Sequence, residues 1–201
     1  MKMLGIDTET NGLPRGSRVP RMIQLGAMVF GYEPHEEGIL KEEQLINSTG
    51  RHQLVEIATF DEVLDPDITE GAWDEEAANV HGIPFEALRE APPFFEEFHR
   101  FADMCVGCVA LVGYNVKYDI DVLYNEIKII GMETRFPWPP HVIDVQDLAR
   151  NHLPHRETKR GNSPYSLGEA YQLILGREME NAHDAMADIR QTVELYLELS
   201  R

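Results

Sequence analysis

The chain has 201 residues, 43% hydrophobic and 26% charged, a composition that fits one globular domain able to bury a core without disulfides or a structural metal. Eighteen Lys and Arg against 35 Asp and Glu give a net charge of −17. That sign excludes a passive nucleic-acid coat or an anionic-membrane binder, and it leaves room for a polyanionic substrate only where cations bridge the two. The longest uncharged run, Met104 to Val116, is 13 residues, too short to span a bilayer, and no signal-peptide core precedes Asp7. Two cysteines make no disulfide scaffold, so a reduced cytoplasm is expected.

In chain order, Met1 to Ile6 predicts a short buried strand ending in carboxylates. Leu13 to Arg21 is a Pro- and Gly-punctuated loop with three arginines and no acid, and Met22 to Phe30 is apolar enough for a central strand. Gly31 to Gly50 is polar and gives no clear element, while Gln53 to Leu64 alternates as an edge strand or hairpin partner would. Helices are expected over Asp74–Val80, Pro84–Arg89 and Pro92–Met104, the last with a Phe94, Phe95, Phe98, Phe101 core stripe. Val109–Val112 is a strand, Tyr118–Ile130 a helix, Val142 and Ile143 a last strand, and Val145–Asn151 a short helix. Asn151–Pro164 is a basic loop, Ser166–Leu175 a helix closed by Gly176, and Ala185–Leu199 the most strongly periodic helix. Early strands with helices interleaved and dominating later predict an α/β fold on a mixed sheet, one domain over residues 1–201.

Three places carry acids where a core is expected. Asp7 and Glu9 are two apart on a strand and share a face, where two anions repel unless a cation lies between them. Asp7-Thr8-Glu9-Thr10-Asn11-Gly12 begins like a calcium loop, but the twelfth position is Arg18 and Pro14 interrupts it. Asp119 lies on the apolar stripe of Leu123, Ile127 and Ile130; alone it reads sooner as a first-turn acid, and Asn115 upstream as an N-cap or turn residue. His183 opens the last helix and Asp188 borders its Met186, Ile189, Val193, Tyr196 stripe. Four carboxylates and one histidine in three segments are the donor set of a two-cation site, where oxygen ligands suit Mg²⁺ or Mn²⁺ and the imidazole can take a proton from water.

These residues resemble a known family. Asp7-Thr8-Glu9-Thr10-Asn11-Gly12-Leu13 is similar to the first motif of the DEDDh 3′→5′ exonucleases, the DnaQ-like enzymes of the ribonuclease-H-like superfamily. Gly113-Tyr114-Asn115-Val116-Lys117-Tyr118-Asp119 resembles the second motif, His183 to Asp188 the third, and Val80-His81-Gly82-Ile83 the His-Gly-Ile segment between motifs one and two. Motif three and Gly-Tyr-Asn most resemble bacterial exonuclease I, while the length is nearer the nuclease domain of the epsilon proofreading subunit, ribonuclease T or oligoribonuclease. Tyr114 and Asn11 depart from commoner His and Thr.

The resemblance implies a mixed five-stranded sheet flanked by helices and hydrolysis from the 3′ end with two Mg²⁺ or Mn²⁺ ions. It makes Asp7, Glu9, Asp119 and Asp188 the metal ligands and His183 the general base; Thr10, Leu13, Asn115 and His81 become substrate contacts, Leu13 as a wedge against the terminal base. Single-stranded DNA is the expected substrate and RNA the alternative; a catalytically silent interaction module is a third reading. A polymerase or a second copy of the chain are protein partners it leaves open, and no membrane is involved. Arg15, Arg18, Arg21, Arg150, Arg156, Lys159 and Arg160 fall in two loops expected beside the site, either to track a phosphate backbone or as solvated loops. Cys105 and Cys108 are expected as core thiols, and Trp73 and Trp138 as packing residues.

Overall fold

A computed structural model describes residues 1–13, 19–34, 45–49, 52–156, 165–180 and 184–200. Strands β1 (Lys2–Thr10), β2 (Met22–Pro34), β3 (Leu45–Thr49) and β4 (His52–Val63) come first. Helices α1 (Glu75–His81), α2 (Phe85–Leu88) and α3 (Phe94–Cys105) follow, then β5 (Cys108–Gly113), α4 (Lys117–Ile129), β6 (His141–Asp144), α5 (Val145–His152), α6 (Leu167–Leu175) and α7 (Ala185–Leu199). The sheet order is β3-β4-β2-β1-β5-β6. The first four strands pair antiparallel, and β5 and β6 add in parallel beside β1.

The expected mixed sheet of five strands is therefore present, and β3 extends it at the β4 edge. That short strand lies in the polar stretch Gly31–Gly50, whose composition gave no signal for it. Gln53–Leu64 pairs on both sides and is not the edge strand.

Both faces of the sheet are covered. Leu4, Ile6, Leu25 and Phe60 pack with Phe94, Phe98 and Phe101 of α3 and Leu123 and Ile127 of α4. Met3, Met28, Ala110 and Val112 pack with α5, α6 and α7. Phe95 leaves the expected core stripe: it is 58% exposed, because its neighbours at 94, 98 and 101 already fill the inward face of α3. Cys105 and Cys108 are buried free thiols, as expected, with burial raising the pKa of both and so disfavouring the thiolate.

Two glycines bring α7 down onto the strands that carry the first motif. A Cβ on Gly5 would lie 2.9 Å from Ile189 Cγ2, and one on Gly26 2.9 Å from Ala185 Cβ. Gly26 is the β2 partner of Asp7. The last helix thus lies on the face of β1 to which alternation assigns Gly5, Asp7 and Glu9, while Leu4, Ile6 and Thr8 face α4.

Candidate active site

The β1–β5 ladder stops at Gly5–Val112, so the last five residues of β1 have an open edge on the β5 side. Asp119, at the start of α4, comes in there. One of its carboxylate oxygens accepts from the Thr8 backbone N–H at 2.9 Å and the Thr8 hydroxyl at 2.8 Å. Asp119 is only 4% exposed. It is a first-turn acid whose side chain reaches across to the strand.

Asp7, Glu9, Asp119 and Asp188 influence one another electrostatically. Burial first, then the charges of Asp119, Glu9 and Asp188, hold the Asp7 carboxyl well above the usual carboxylate range. Burial, Asp188 and Asp119 push Glu9 up to about 7. Asp119 is raised by burial against the opposing pull of its two Thr8 hydrogen bonds. Four acids from β1, α4 and α7 thus lie close enough for their charges to act on one another where burial makes negative charge expensive. Among the described residues, no three of them already form a closed set of metal ligands. The donor chemistry still fits: an all-carboxylate cluster whose members repel one another is relieved by a hard divalent cation. His183 lies outside the described residues. The chain is anchored on both sides of it, because Gln191 accepts from Glu180 N–H (3.2 Å) and donates to Glu180 C=O (2.7 Å), while Asp184 caps α7 at Ala187 N–H (2.8 Å).

Beyond Glu9 the register of β1 against β2 shifts by one residue, a bulge that ends the regular pairing. The strand runs into a cleft of about 460 Å³ lined by Asn11, Gly12, Leu13, Trp73 and the acids Asp74, Glu75 and Glu76. Leu13 is 76% exposed at this cleft, a position suited to an apolar wedge. Trp73 is the residue that sequence reasoning set aside as packing. It lines the cleft with its ring braced by Phe85 at 5.6 Å and by His81, edge-on, at 5.8 Å. His81 is a brace rather than a cleft-lining residue. Its Nδ1 accepts from Ile83 N–H (3.1 Å), its Nε2 is buried with no hydrogen-bond partner among the described residues, and burial lowers its pKa.

Thr10 is 7% exposed and its hydroxyl is engaged internally, donating to Gly12 C=O (2.8 Å) and bonded to the Tyr118 hydroxyl (2.7 Å). Asn115 is exposed, and of its two expected local roles the turn is the one realised: Val116 is the N-cap of α4, and Asn115 occupies a left-handed turn (φ 57°) with its N–H on Asp144. Asp144, a fifth acid at the end of β6, also caps α5 at Gln146 N–H.

Asn11 ties the site to the cleft. Its amide donates to Ala72 C=O (3.0 Å), and it pairs with Arg21 through its side-chain oxygen (2.8 Å) and backbone N–H (3.0 Å). Arg21 is committed elsewhere too. It clasps Glu126, which is 3% exposed, at 2.7 and 3.1 Å, and Glu126 also accepts from Met22 N–H. Arg21 is therefore a structural clamp, not a phosphate-tracking cation. Arg150 pairs with Asp147, and Arg156 pairs with Glu169 and lies over the Tyr165 ring. Arg15, Arg18, Lys159 and Arg160 lie outside the described residues.

Comparison with known proteins agrees with this arrangement. The family model RNase_T, described as exonuclease, matches residues 4–196. Among curated proteins, the DNA polymerase III epsilon subunit of Haemophilus influenzae is 26% identical over 98% of the chain, and that of Escherichia coli 28% identical over 99%. The chain spans 66% of the length of the first and 71% of the second. Among solved structures, Escherichia coli exonuclease I bound to a dT13 oligonucleotide superposes with a TM-score of 0.68 at 20% identity, over 98% of this chain and 40% of that one. A 3′-exonuclease recognising a histone mRNA stem-loop gives 0.68 at 13% identity, over 98% of this chain and 63% of that one. These likenesses share the fold.

Proposed function

The chain belongs to the DnaQ-like exonuclease family, enzymes that hydrolyse nucleic acid from the 3′ end, and on that premise we propose that it is a divalent-metal-dependent 3′→5′ exonuclease of single-stranded DNA that releases nucleoside monophosphates. One observation carries this reading: acids from three separate elements come close enough that Asp119 and Asp188 raise the proton affinity of Asp7 and Glu9, next along β1 to a cleft with an apolar wedge and an aromatic wall.

Asp7, Glu9, Asp119 and Asp188 would hold the divalent cations. When bound, the cations supply positive charge to the attacking and leaving oxygens of an in-line displacement at phosphorus. His183 accepts the proton of the attacking water, a general-base contribution of about 10²–10⁴-fold. The bond from phosphorus to the 3′ oxygen of the penultimate nucleotide breaks, and the terminal nucleotide leaves with a 5′-phosphate. Leu13 and Trp73 receive its base, and the acidic rim at Asp74 to Glu76 disfavours a second phosphate there. Asn115, on the turn into α4, borders the substrate path, and His81 acts through Trp73.

DNA is favoured because the curated relatives are named as DNA polymerase subunits and an exonuclease I neighbour holds an oligodeoxynucleotide. The same names favour a polymerase as protein partner. The histone-mRNA exonuclease keeps RNA as the second reading. Free thiols at Cys105 and Cys108 suit a reducing cytoplasm, and among the described residues no helix is long and apolar enough to cross a membrane. Equal-sequence DNA and RNA strands, compared by kcat/KM, test the substrate: faster turnover of DNA supports the reading, and faster turnover of RNA overturns it in favour of the second.

A further inference from the structure

The stretch that carries Trp73 has little core packing to hold it. No residue from Asp67 to Ala87 is buried. Trp73 follows a single 3-10 turn, Glu70–Ala72, and its ring neighbours His81 and Phe85 belong to the same stretch. A segment with so few buried apolar contacts opens locally at low cost in free energy. The Leu13 side of the cleft has the opposite character: it continues β1, and Thr10, Asn11 and Gly12 are all buried.

Asn11 spans the two sides. Its amide uses both of its functions: Oδ1 accepts from Arg21 N–H at 2.8 Å, and Nδ2 donates at 3.0 Å to the carbonyl of Ala72, one residue before Trp73. An N–H facing one end and a carbonyl facing the other fix which way round the amide sits. Arg21 is itself held by buried Glu126, so the acceptor end is anchored through α4 while the donor end reaches the wall. One residue along, the two sides approach again: a Cβ on Gly12 would lie 3.2 Å from Asp74 Cβ. Leu13 lies two residues beyond Asn11 and Trp73 one beyond Ala72, so the amide bridges the chain just where wedge and wall begin.

We propose that Asn11 is a positioning residue that holds the Trp73 wall at a fixed distance from the Leu13 wedge, so that it governs how tightly the terminal base is gripped and not the hydrolytic step. This rests on the exonuclease reading above. The test is steady-state kinetics of the full chain and its Asn11→Ala, Trp73→Ala and double variants, on one strand ending in a base and on the same strand ending in an abasic nucleotide. Asn11→Ala keeps the backbone N–H on Arg21 C=O and the Arg21–Glu126 clasp. It raises KM on the base-ended strand about 3- to 10-fold, the range of one hydrogen bond, with kcat within about 2-fold. On the abasic strand, and when added to Trp73→Ala, it changes KM by less than about 2-fold, because no stacked base is left to grip. An unchanged KM on the base-ended strand, a fall in kcat, an equal rise on the abasic strand, or full additivity with Trp73→Ala overturns the proposal.

Fluorescence supplies a second readout, independent of turnover. In Trp138→Phe protein Trp73 is the one tryptophan left. Adding Asn11→Ala moves its emission to the red and raises its quenching by acrylamide, well below the melting transition and with the far-UV circular dichroism unchanged. An unaltered spectrum contradicts the proposal. If the unmodified protein shortens no strand from its 3′ end, the exonuclease reading fails and takes this proposal with it. If it is active but Asn11→Ala leaves KM unchanged, only this proposal fails.

Discussion

Asp7, Glu9 and Asp119 keep their protons in the folded protein to higher pH than the unfolded chain does, and this has a definite sign. A carboxyl whose folded pKa is raised contributes stability that is complete below its unfolded value and is lost as pH rises through the folded one. For Glu9 that window runs from 4.5 to about 7. In chelator, the melting temperature is expected to fall across this range, measured by thermal denaturation at several pH values. Mg²⁺ or Mn²⁺ takes the place of the protons and removes the fall, and cation binding near pH 6 releases protons, measurable by calorimetry in two buffers. Asp119→Asn should melt higher than the parent in chelator at pH 7, yet lose more than about 100-fold in kcat, since even outer-sphere changes at metal sites cost 10–100-fold. A variant that loses both stability and activity would point to a purely structural Asp119. Trp73→Ala should raise KM about 10-fold with little change in kcat, the loss of one stacked base.

At the scale of elements, the site depends on α7 being pressed onto β1 and β2. Gly26→Val places a side chain against the backbone of α7 at Ala185, and overpacking of this kind costs about 1–3 kcal/mol. Asp188 moves with the helix, so kcat should fall further than stability does; compared by denaturant melts and turnover, proportionate losses would argue against helix placement as the cause. Glu126→Ala strips the partner from Arg21 and should cost about 3–5 kcal/mol.

Legibility in the sequence follows from range. The apolar run Met1 to Ile6 marks the start of β1, the two-residue spacing places Asp7 and Glu9 on one face, and the α4 stripe marks Asp119 as an acid out of place. The capping of α6 by Ser166 and Gly176, with Gly176 left-handed, is equally local. Trp73 lacks a local signal: a lone aromatic ahead of a short helix looks like core until Asn11, 61 residues away, is seen holding Ala72 beside it. The Arg21–Glu126 clasp spans 105 residues, so three arginines in one loop read from sequence as free cations. Strand β3 is missed because pairing with β4, rather than its own polar composition, defines it.

Over the whole molecule, a chain of net charge −17 presents a polyanion with a net unfavourable field, which held cations would offset. Among the described residues of the two basic loops, Arg21, Arg150 and Arg156 already have acidic partners. Turnover should then depend steeply on divalent cation and weakly on KCl. A slope of log kcat/KM against log salt near −1 to −2 is expected, whereas each displaced counterion would add about −0.7 on single strands. A slope beyond about −5 would assign substrate binding to a basic surface instead. The decisive measurement is digestion of 5′-labelled single-stranded DNA in Mg²⁺, in chelator, and by the Asp188→Ala variant. The account predicts a ladder shortening from the 3′ end in Mg²⁺ alone and only with the unmodified chain. A ladder that persists in chelator or in Asp188→Ala, or its absence from pure folded protein in Mg²⁺, would contradict it.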